Sequence, residues 1–280
     1  MPTVPQPAKQ KSLEELHTRM PDELASANGP LRTAWDFFRQ LVALTCFFVV
    51  ATSANLLAGV LSWLGLAPKN PEFWRKVIAR LFWVWIFSSR HLGVVRVDFP
   101  ERRQLRDLRG AIVAANHPSL VDAFVLLWAV PRAVCIMRSD LMTNPAICHL
   151  ARLAGYIAND RGPTLVREGL ARLARGENLL IFPEGTRTQR GVLNTFKRGF
   201  ALMATRSEAC IQTVIIRFQG KYLSKGSGLF TPTPLPVDLT FRLGRVFQPF
   251  PEESADHFAE RLEAYFRNEL AGEQNLEKEH

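Results

Sequence analysis

The stretch best equipped for chemistry is Asn116-His117-Pro118-Ser119-Leu120-Val121-Asp122, set between an apolar strand-like run, Ala111 to Ala115, and an apolar helix-like run, Ala123 to Val130. Proline is favoured at the first helical position and pushes the residue before it into extended geometry, so Pro118 is expected to open the helix with His117 at its cap. From there the imidazole can fold over the first turn towards the Asp122 carboxylate. A carboxylate that holds one ring nitrogen fixes the tautomer and leaves the other free to take a proton from a hydroxyl, which is the arrangement of a general base with its orienter. A capping histidine beside a satisfied aspartate explains the same residues without chemistry, so a second motif is needed. Ser119, expected within the first helical turn, lacks the Gly-x-Ser-x-Gly elbow that exposes a nucleophilic serine.

The second motif is Leu179-Leu180-Ile181-Phe182 running directly into Pro183-Glu184-Gly185-Thr186-Arg187. Ligands usually sit at strand ends in open α/β sheets, so this loop and His117 can share one crevice. Gly185 lets the backbone approach a ligand closely, Thr186 offers a hydroxyl, and the planar fork of Arg187 suits phosphate oxygens. Glu184 would repel phosphate unless it binds a glycerol-type hydroxyl or orders Arg187. A turn with a surface salt bridge is the plain alternative for the whole loop.

The elements that must position these residues read as strands and helices in alternation. Strands are expected at Val94–Phe99, Ala111–Ala115, Ala133–Met137, Tyr156–Ala158, Asn178–Phe182, Ile211–Ile216 and Val237–Arg242. Helices are expected at Ala123–Val130, near Asn144–Ala154, from Gly162-Pro163 to Gly176, and at Glu252–Leu270. The pattern implies an α/β class with a central mixed, largely parallel sheet flanked by helices, preceded by a membrane-associated helical hairpin. The domain plan is a flexible tail at 1–30 with one short helix near Ser12–Arg19, a membrane-associated helical segment at 31–92, the α/β domain at 93–270, and a frayed C-terminus at 271–280.

From Gln40 to Pro68 the chain runs 29 residues without a formal charge, more than the roughly 20 that a helix needs to cross a bilayer. Thr52, Ser53, Asn55, Gly59, Ser62 and Gly65 interrupt it, which favours a bent or hairpin insertion over one straight span. A second apolar stretch, Leu81–Ser89, is too short to span, and its aromatic residues between basic flanks suit the headgroup boundary. The expectation is monotopic attachment, at the cytoplasmic face of the inner membrane. Two buried core helices are the alternative.

The net charge of +9 and pI near 9.8 call for anionic partners. Between Arg187 and Lys225 stand eight basic residues, Arg187, Arg190, Lys197, Arg198, Arg206, Arg217, Lys221 and Lys225, against one acid, Glu208. The four cysteines lack metal-site or disulfide spacing, so no metal is expected and a reducing compartment fits best. No nucleic-acid motif is present, and nucleic acid is not expected as a partner.

The two motifs, with His117 and Phe182 65 positions apart, resemble the first and third blocks of the glycerolipid acyltransferase family related to 1-acylglycerol-3-phosphate acyltransferase. The likeness covers roughly residues 90 to 250. Gly155-Tyr156-Ile157-Ala158-Asn159-Asp160-Arg161 resembles the second block, whose closing arginine, here Arg161, is implied to meet the acceptor's phosphate. Phe196-Lys197-Arg198-Gly199 resembles the basic step after the third block and implies Lys197 as a phosphate contact. Two positions depart from the family pattern: Thr213 stands near a proline of the fourth block, and Pro118 stands where many members acting on lysophosphatidic acid have glutamine.

The resemblance implies an O-acyltransferase of lysophospholipid type. His117, oriented by Asp122, would activate a hydroxyl of a lysophospholipid or similar glycerol-phosphate acceptor to attack an acyl thioester, with acyl-CoA or acyl-carrier protein as co-substrate and no bound cofactor. Arg161, Glu184, Gly185, Thr186, Arg187 and Lys197 form the expected substrate-binding set, and membrane lipids are the expected surroundings. An acyltransferase of a bacterial specialised lipid pathway with another acceptor, a thioester hydrolase, and a non-enzymatic basic membrane-binding protein remain as alternatives.

Overall fold

A computed structural model describes residues 29–188 and 193–272. The 1–28 part of the tail with its short helix, Arg190, and the C-terminal residues from 273 lie outside the described residues. The chain begins with two helices, α1 (Pro30–Trp63) and α2 (Pro71–His91). The α/β part follows as β1 (Val95–Asp98), β2 (Ile112–Ala115), α3 (Val121–Ala129), β3 (Val134–Met137), α4 (Ser139–Thr143), α5 (Cys148–Leu153) and β4 (Ile157–Ala158). It continues through α6 (Pro163–Leu173), β5 (Leu179–Ile181), α7 (Gly199–Ser207), β6 (Ile211–Gln219), β7 (Val237–Phe247) and α8 (Ala255–Gly272). A 3-10 turn at Pro100–Arg106 follows β1, and α7 was not legible in the sequence.

Seven strands form one sheet in the order β1-β7-β6-β2-β5-β3-β4, with every neighbouring pair parallel except β6 and β7. The mixed, largely parallel sheet expected from the alternation is therefore present. Strand β2 is central and wholly buried, and its residues alternate between two cores as the pleat requires. Val113 and Ala115 join a core with α1, α2 and α3, while Ile112 and Ala114 join another with α6, α7 and α8. Thr213 takes its unusual place at a register irregularity between Gln212 and Val214, where its hydroxyl donates to Arg245 O at 2.7 Å. The close fit of Gly244 leaves room for that hydroxyl: a β-carbon there would stand 2.4 Å from Thr213 Oγ1. A bulge interrupts the ladder, so the backbone irregularity survives here without a proline.

The N-terminal pair is a helical hairpin whose first arm, α1, is one unbroken helix of 34 residues, about 51 Å long at 1.5 Å per residue. The turn falls after it, at residues 64–70. Of the residues expected to interrupt it, Ser53 and Ser62 are exposed, while Asn55 lies in the inward stripe of α1. Its buried positions are Asp36, Gln40, Ala43, Leu44, Ala51, Asn55 and Ala58, spaced along one face. Phe38, Val49, Leu56, Leu57, Val60 and Trp63 point outward, with Trp63 84% exposed.

Thus α1 is polar or small towards the protein and apolar towards its surroundings, the reverse of a surface helix in water. Among the described residues, α1 is the one helix long and apolar enough to cross a membrane. Leu81–Ser89 forms the second half of α2: Trp85, Ile86 and Ser89 face inward while Trp83, Val84 and Phe87 add to the outer apolar surface. Phe47, Phe82, Trp85 and Phe124 stack and abut at 4.5–5.9 Å, fastening both helices to α3. The reading of two buried core helices fails on this exposed face, and the hairpin associates with membrane. Leu56→Glu combined with Val60→Glu, both on the outer face, should lower partition into phospholipid vesicles by about tenfold or more while leaving far-UV circular dichroism unchanged; co-sedimentation reads the first and the spectrum the second.

Candidate active site

Strands β2 and β5 are adjacent and in register, Ala114 opposite Ile181, so the segments leaving their C-terminal ends emerge about 4.8 Å apart. That adjacency brings His117 and the Pro-Glu-Gly-Thr-Arg loop together. The His117 ring lies flat on Phe182, with centroids 3.9 Å apart and planes 18° from parallel. Its Nδ1 is 3.2 Å from Asp122 Oδ2, and the side chain is 13% exposed while that of Asp122 is fully buried.

Local geometry differs from the expectation in one respect. Pro118 does not open α3, which starts at Val121. Ser119 acts there instead: its N–H donates to Asp122 Oδ2 at 2.7 Å, and its hydroxyl accepts from Val121 N at 3.2 Å while donating to Tyr222 O at 2.9 Å. A β-bridge to Ser224 holds Ser119 extended, and this tertiary contact outcompetes the helical preference of proline. Ser119 is thus a buried capping group that precedes the helix rather than a nucleophile within its first turn.

Burial pushes the Asp122 carboxyl above its usual range, partly offset by its bond to His117. Among the described residues Asp122 Oδ1 has no hydrogen-bond partner, so the buried carboxylate is under-compensated when ionised. A carboxylate so placed fixes the orientation of the imidazole, as a general base that takes a hydroxyl proton requires. With Nδ1 towards the carboxylate, Nε2 is the nitrogen left to do so.

Glu184 was expected to meet a substrate hydroxyl or to order Arg187, and its placement is different. It is 1% exposed, and both oxygens are engaged by the protein. Oε1 accepts from His117 N at 3.0 Å and Thr188 Oγ1 at 2.7 Å; Oε2 accepts from Asn194 N at 2.9 Å and Asn194 Nδ2 at 2.6 Å. Thr188 N also donates to His117 O at 2.6 Å. The carboxylate is therefore a buried hub that clamps the His117 backbone to the following loop. Thr188, Asn194 and Phe182 belong to the site's framework; of these only Phe182, at a strand end beside the motif, offered a sequence signal.

Gly185 has φ +67°, and a β-carbon there would come within 3.3 Å of Lys197 Cγ. What approaches this glycine is the stem of Lys197, whose exposed ammonium forms no ion pair among the described residues. The Thr186 hydroxyl likewise has no hydrogen-bond partner among the described residues. Arg187 donates through Nη1 to Leu223 O at 2.8 Å and Ser224 O at 3.1 Å. Burial, helped by nearby Arg138, lowers its pKa, while Asp122 acts in the opposite sense. Arg138, just past β3, is a site neighbour that no motif marked; it forks onto Asp140 at 3.1 and 2.8 Å. Asp140 neutralises Arg138, and Arg187, held by carbonyls rather than by an acid, keeps a positive charge suited to an anion.

Arg161 is not brought into this group. It follows edge strand β4, three strands from β2 or about 14 Å at ordinary spacing, and it is paired with Glu168 at 3.1 Å.

Residues 95–217 match the family model described as Acyltransferase. The 1-acyl-sn-glycerol-3-phosphate acyltransferase of Cocos nucifera is 29% identical over 167 residues, covering 57% of this chain and 54% of its own. That of Limnanthes douglasii is 27% identical over 218 residues, covering 72% and 74%. The lyso-ornithine lipid O-acyltransferase of Pseudomonas aeruginosa is 32% identical over 138 residues, covering 48% and 52%. This chain thus spans about half the length of the first and third of these relatives. The crystal structure of the 1-acyl-sn-glycerophosphate acyltransferase PlsC from Thermotoga maritima has the same fold, with a TM-score of 0.62 and 22% identity over 85% of this chain and 98% of that one. Residues 95–217 are thus similar to an acyltransferase domain.

Two substitutions separate chemistry from scaffold. Since the Asp122 pKa is raised, the folded state holds that proton more tightly than the unfolded chain; the group's stabilisation is complete below about pH 3.9 and is lost as pH rises through its folded value. Asp122→Asn should therefore melt no lower than the parent near neutral pH while turnover falls about 10²- to 10⁴-fold, read by thermal scanning and initial rates. Glu184→Gln turns an amide donor towards buried donors and should destabilise by about 1–3 kcal/mol, seen as a lower melting temperature.

Proposed function

We propose that this protein transfers an acyl group from a thioester donor, acyl-CoA or acyl-carrier protein, to a hydroxyl of a lysolipid that carries an anionic headgroup. The reading rests chiefly on one observation: His117, backed by buried Asp122, stands at the end of β2 and is hydrogen-bonded to the β5 loop that carries Arg187. In this mechanism His117 Nε2 removes the acceptor's proton as its oxygen attacks the thioester carbonyl, and Asp122 stabilises the resulting imidazolium. The tetrahedral adduct then collapses, the carbon–sulfur bond breaks, and the imidazolium returns the proton to the departing thiolate. No covalent acyl-enzyme is required.

Arg187 and Lys197 are assigned to the acceptor's anion and Thr186 to a headgroup oxygen. The lysophosphatidic acid named in the plant relatives' activity supplies one such anion. A lyso-ornithine lipid, named for the Pseudomonas relative, supplies a carboxylate in its place; Pro118, where many members acting on lysophosphatidic acid have glutamine, weighs against the first acceptor. The apolar outer face of the hairpin would lie in the bilayer monotopically, at the cytoplasmic face of the inner membrane, where thioester donors are available.

Purified protein incubated with acyl-CoA or acyl-carrier protein and a panel of lysophosphatidic acid and lyso-aminolipids should form one new ester, identified by mass spectrometry. His117→Ala should abolish it while folding normally, and a near-native rate in that variant removes the general-base assignment. Arg187→Gln should raise the acceptor KM about ten- to a hundredfold with a smaller change in the donor KM. Thioester consumption without an acceptor would favour hydrolysis instead.

A further inference from the structure

The strand order β6-β2-β5-β3 leaves the crevice between two walls: the segment after β6 and the segment after β3. Residues 222–224 of the first wall hold several parts of the site at once. Tyr222 O accepts from Ser119 Oγ, Leu223 O accepts from Leu120 N at 3.1 Å, and Leu223 and Ser224 carbonyls accept from Arg187 Nη1. Leu223 is held at φ +54°, a conformation that neighbouring contacts must maintain in a non-glycine residue.

The remainder of this wall is rich in glycine and proline and is fastened at its far end to α1. Gln40 Nε2 donates to Leu229 O at 3.2 Å and Thr231 O at 3.0 Å, and Asp36 Oδ2 accepts from Leu235 N at 3.2 Å. The other wall is fastened to the same helix. Asn55 Nδ2 donates to Pro145 O at 2.7 Å and its Oδ1 accepts from Leu150 N at 3.0 Å. Beside it, the missing side chain of Gly59 admits the His149 ring, which lies 3.0 Å from where a β-carbon would stand.

Gln40 and Asn55 are buried amides on a helix whose outer side is apolar. Membrane attachment has no use for either, and their hydrogen bonds go to the two walls. We propose that Gln40 and Asn55 are positioning residues for the acceptor site: α1 is a brace across the crevice, fixing through its two walls where Arg187 and Arg138 stand. This rests on the reading that Arg187 meets the acceptor's anion.

The test uses the full chain in mixed micelles, with lysophosphatidic acid as acceptor and acyl-CoA as donor. Gln40→Met keeps side-chain length and apolar compatibility but removes the donors. It should speed amide hydrogen exchange in peptides covering 221–236 and raise the acceptor KM about fivefold, with kcat and vesicle binding within twofold of the parent. Combined with Arg187→Gln it should add nothing further to the acceptor KM, because the brace acts through that guanidinium. Asn55→Leu should speed exchange at 138–147 in the same way, and Gln40→Asn, which shortens the reach of the amide, provides a milder form of the first variant if Gln40→Met does not fold.

Unchanged exchange at 221–236 in folded Gln40→Met or Gln40→Asn overturns the brace whether or not lysophosphatidic acid is a substrate. A fall in kcat with the acceptor KM unmoved overturns it too, by making the contact merely structural. Faster exchange alongside a native acceptor KM in Arg187→Gln overturns the headgroup reading and leaves the mechanical link standing.

Discussion

The active-site crevice depends on a carboxylate that touches no reacting atom in the arrangement described. Glu184 leaves the end of β5, reaches sideways to the backbone of His117 at the end of β2, and gathers Thr188 and Asn194 from the loop beyond. A neutral side chain offers fewer strong acceptor sites to four donors, and a shorter one would not span the gap between strands. Ionised glutamate suits the position because each donor replaces part of the water it has lost. The acid that might have paired with Arg187 is already engaged, and Arg187 is held instead by the Leu223 and Ser224 carbonyls.

The same economy of polar contacts governs α1. In water a helix buries its apolar face, whereas α1 turns amides, a carboxylate and small residues towards the protein and leaves leucine, valine, phenylalanine and tryptophan outside. This is a sensible arrangement only where the outer medium is apolar. The inward amides then have strong directional partners in loop carbonyls, and loops that would otherwise be held weakly by their own glycines and prolines acquire fixed ends. The apolar outer face and the hydrogen bonds to these loops thus lie on opposite sides of one helix.

Asp122 illustrates a different balance. Its burial raises the free energy of the charged form, yet in the proposed mechanism that charge is what orients His117 and faces it as the acceptor's proton is taken. The flat contact of Phe182 on the imidazole limits ring rotation, so the orientation needed for proton transfer is kept by packing as well as by the carboxylate.

Much of the architecture could be read in order along the chain. Strand and helix periodicities, the proline and glycine at 162–163, and the apolar run of β2 are local signals, and they gave the α/β class and most of its elements. The pairing of His117 with Asp122 was equally local, because the two are five residues apart and a turn must bring them near. Other features were decided only when distant segments met. Ser119 displaced Pro118 from the start of α3 because Ser224, more than a hundred residues later, bridges to it. Glu184 became a hub because β5 lies beside β2, Arg161 stayed at an edge because β4 does, and Arg138 entered the site because β3 ends beside the Arg187 loop. Periodicity records which side of an element is buried and spacing records what a turn can join, but neither carries the order of strands in a sheet. That order is set by long-range packing, and it determines which polar groups find partners and which are left for a ligand.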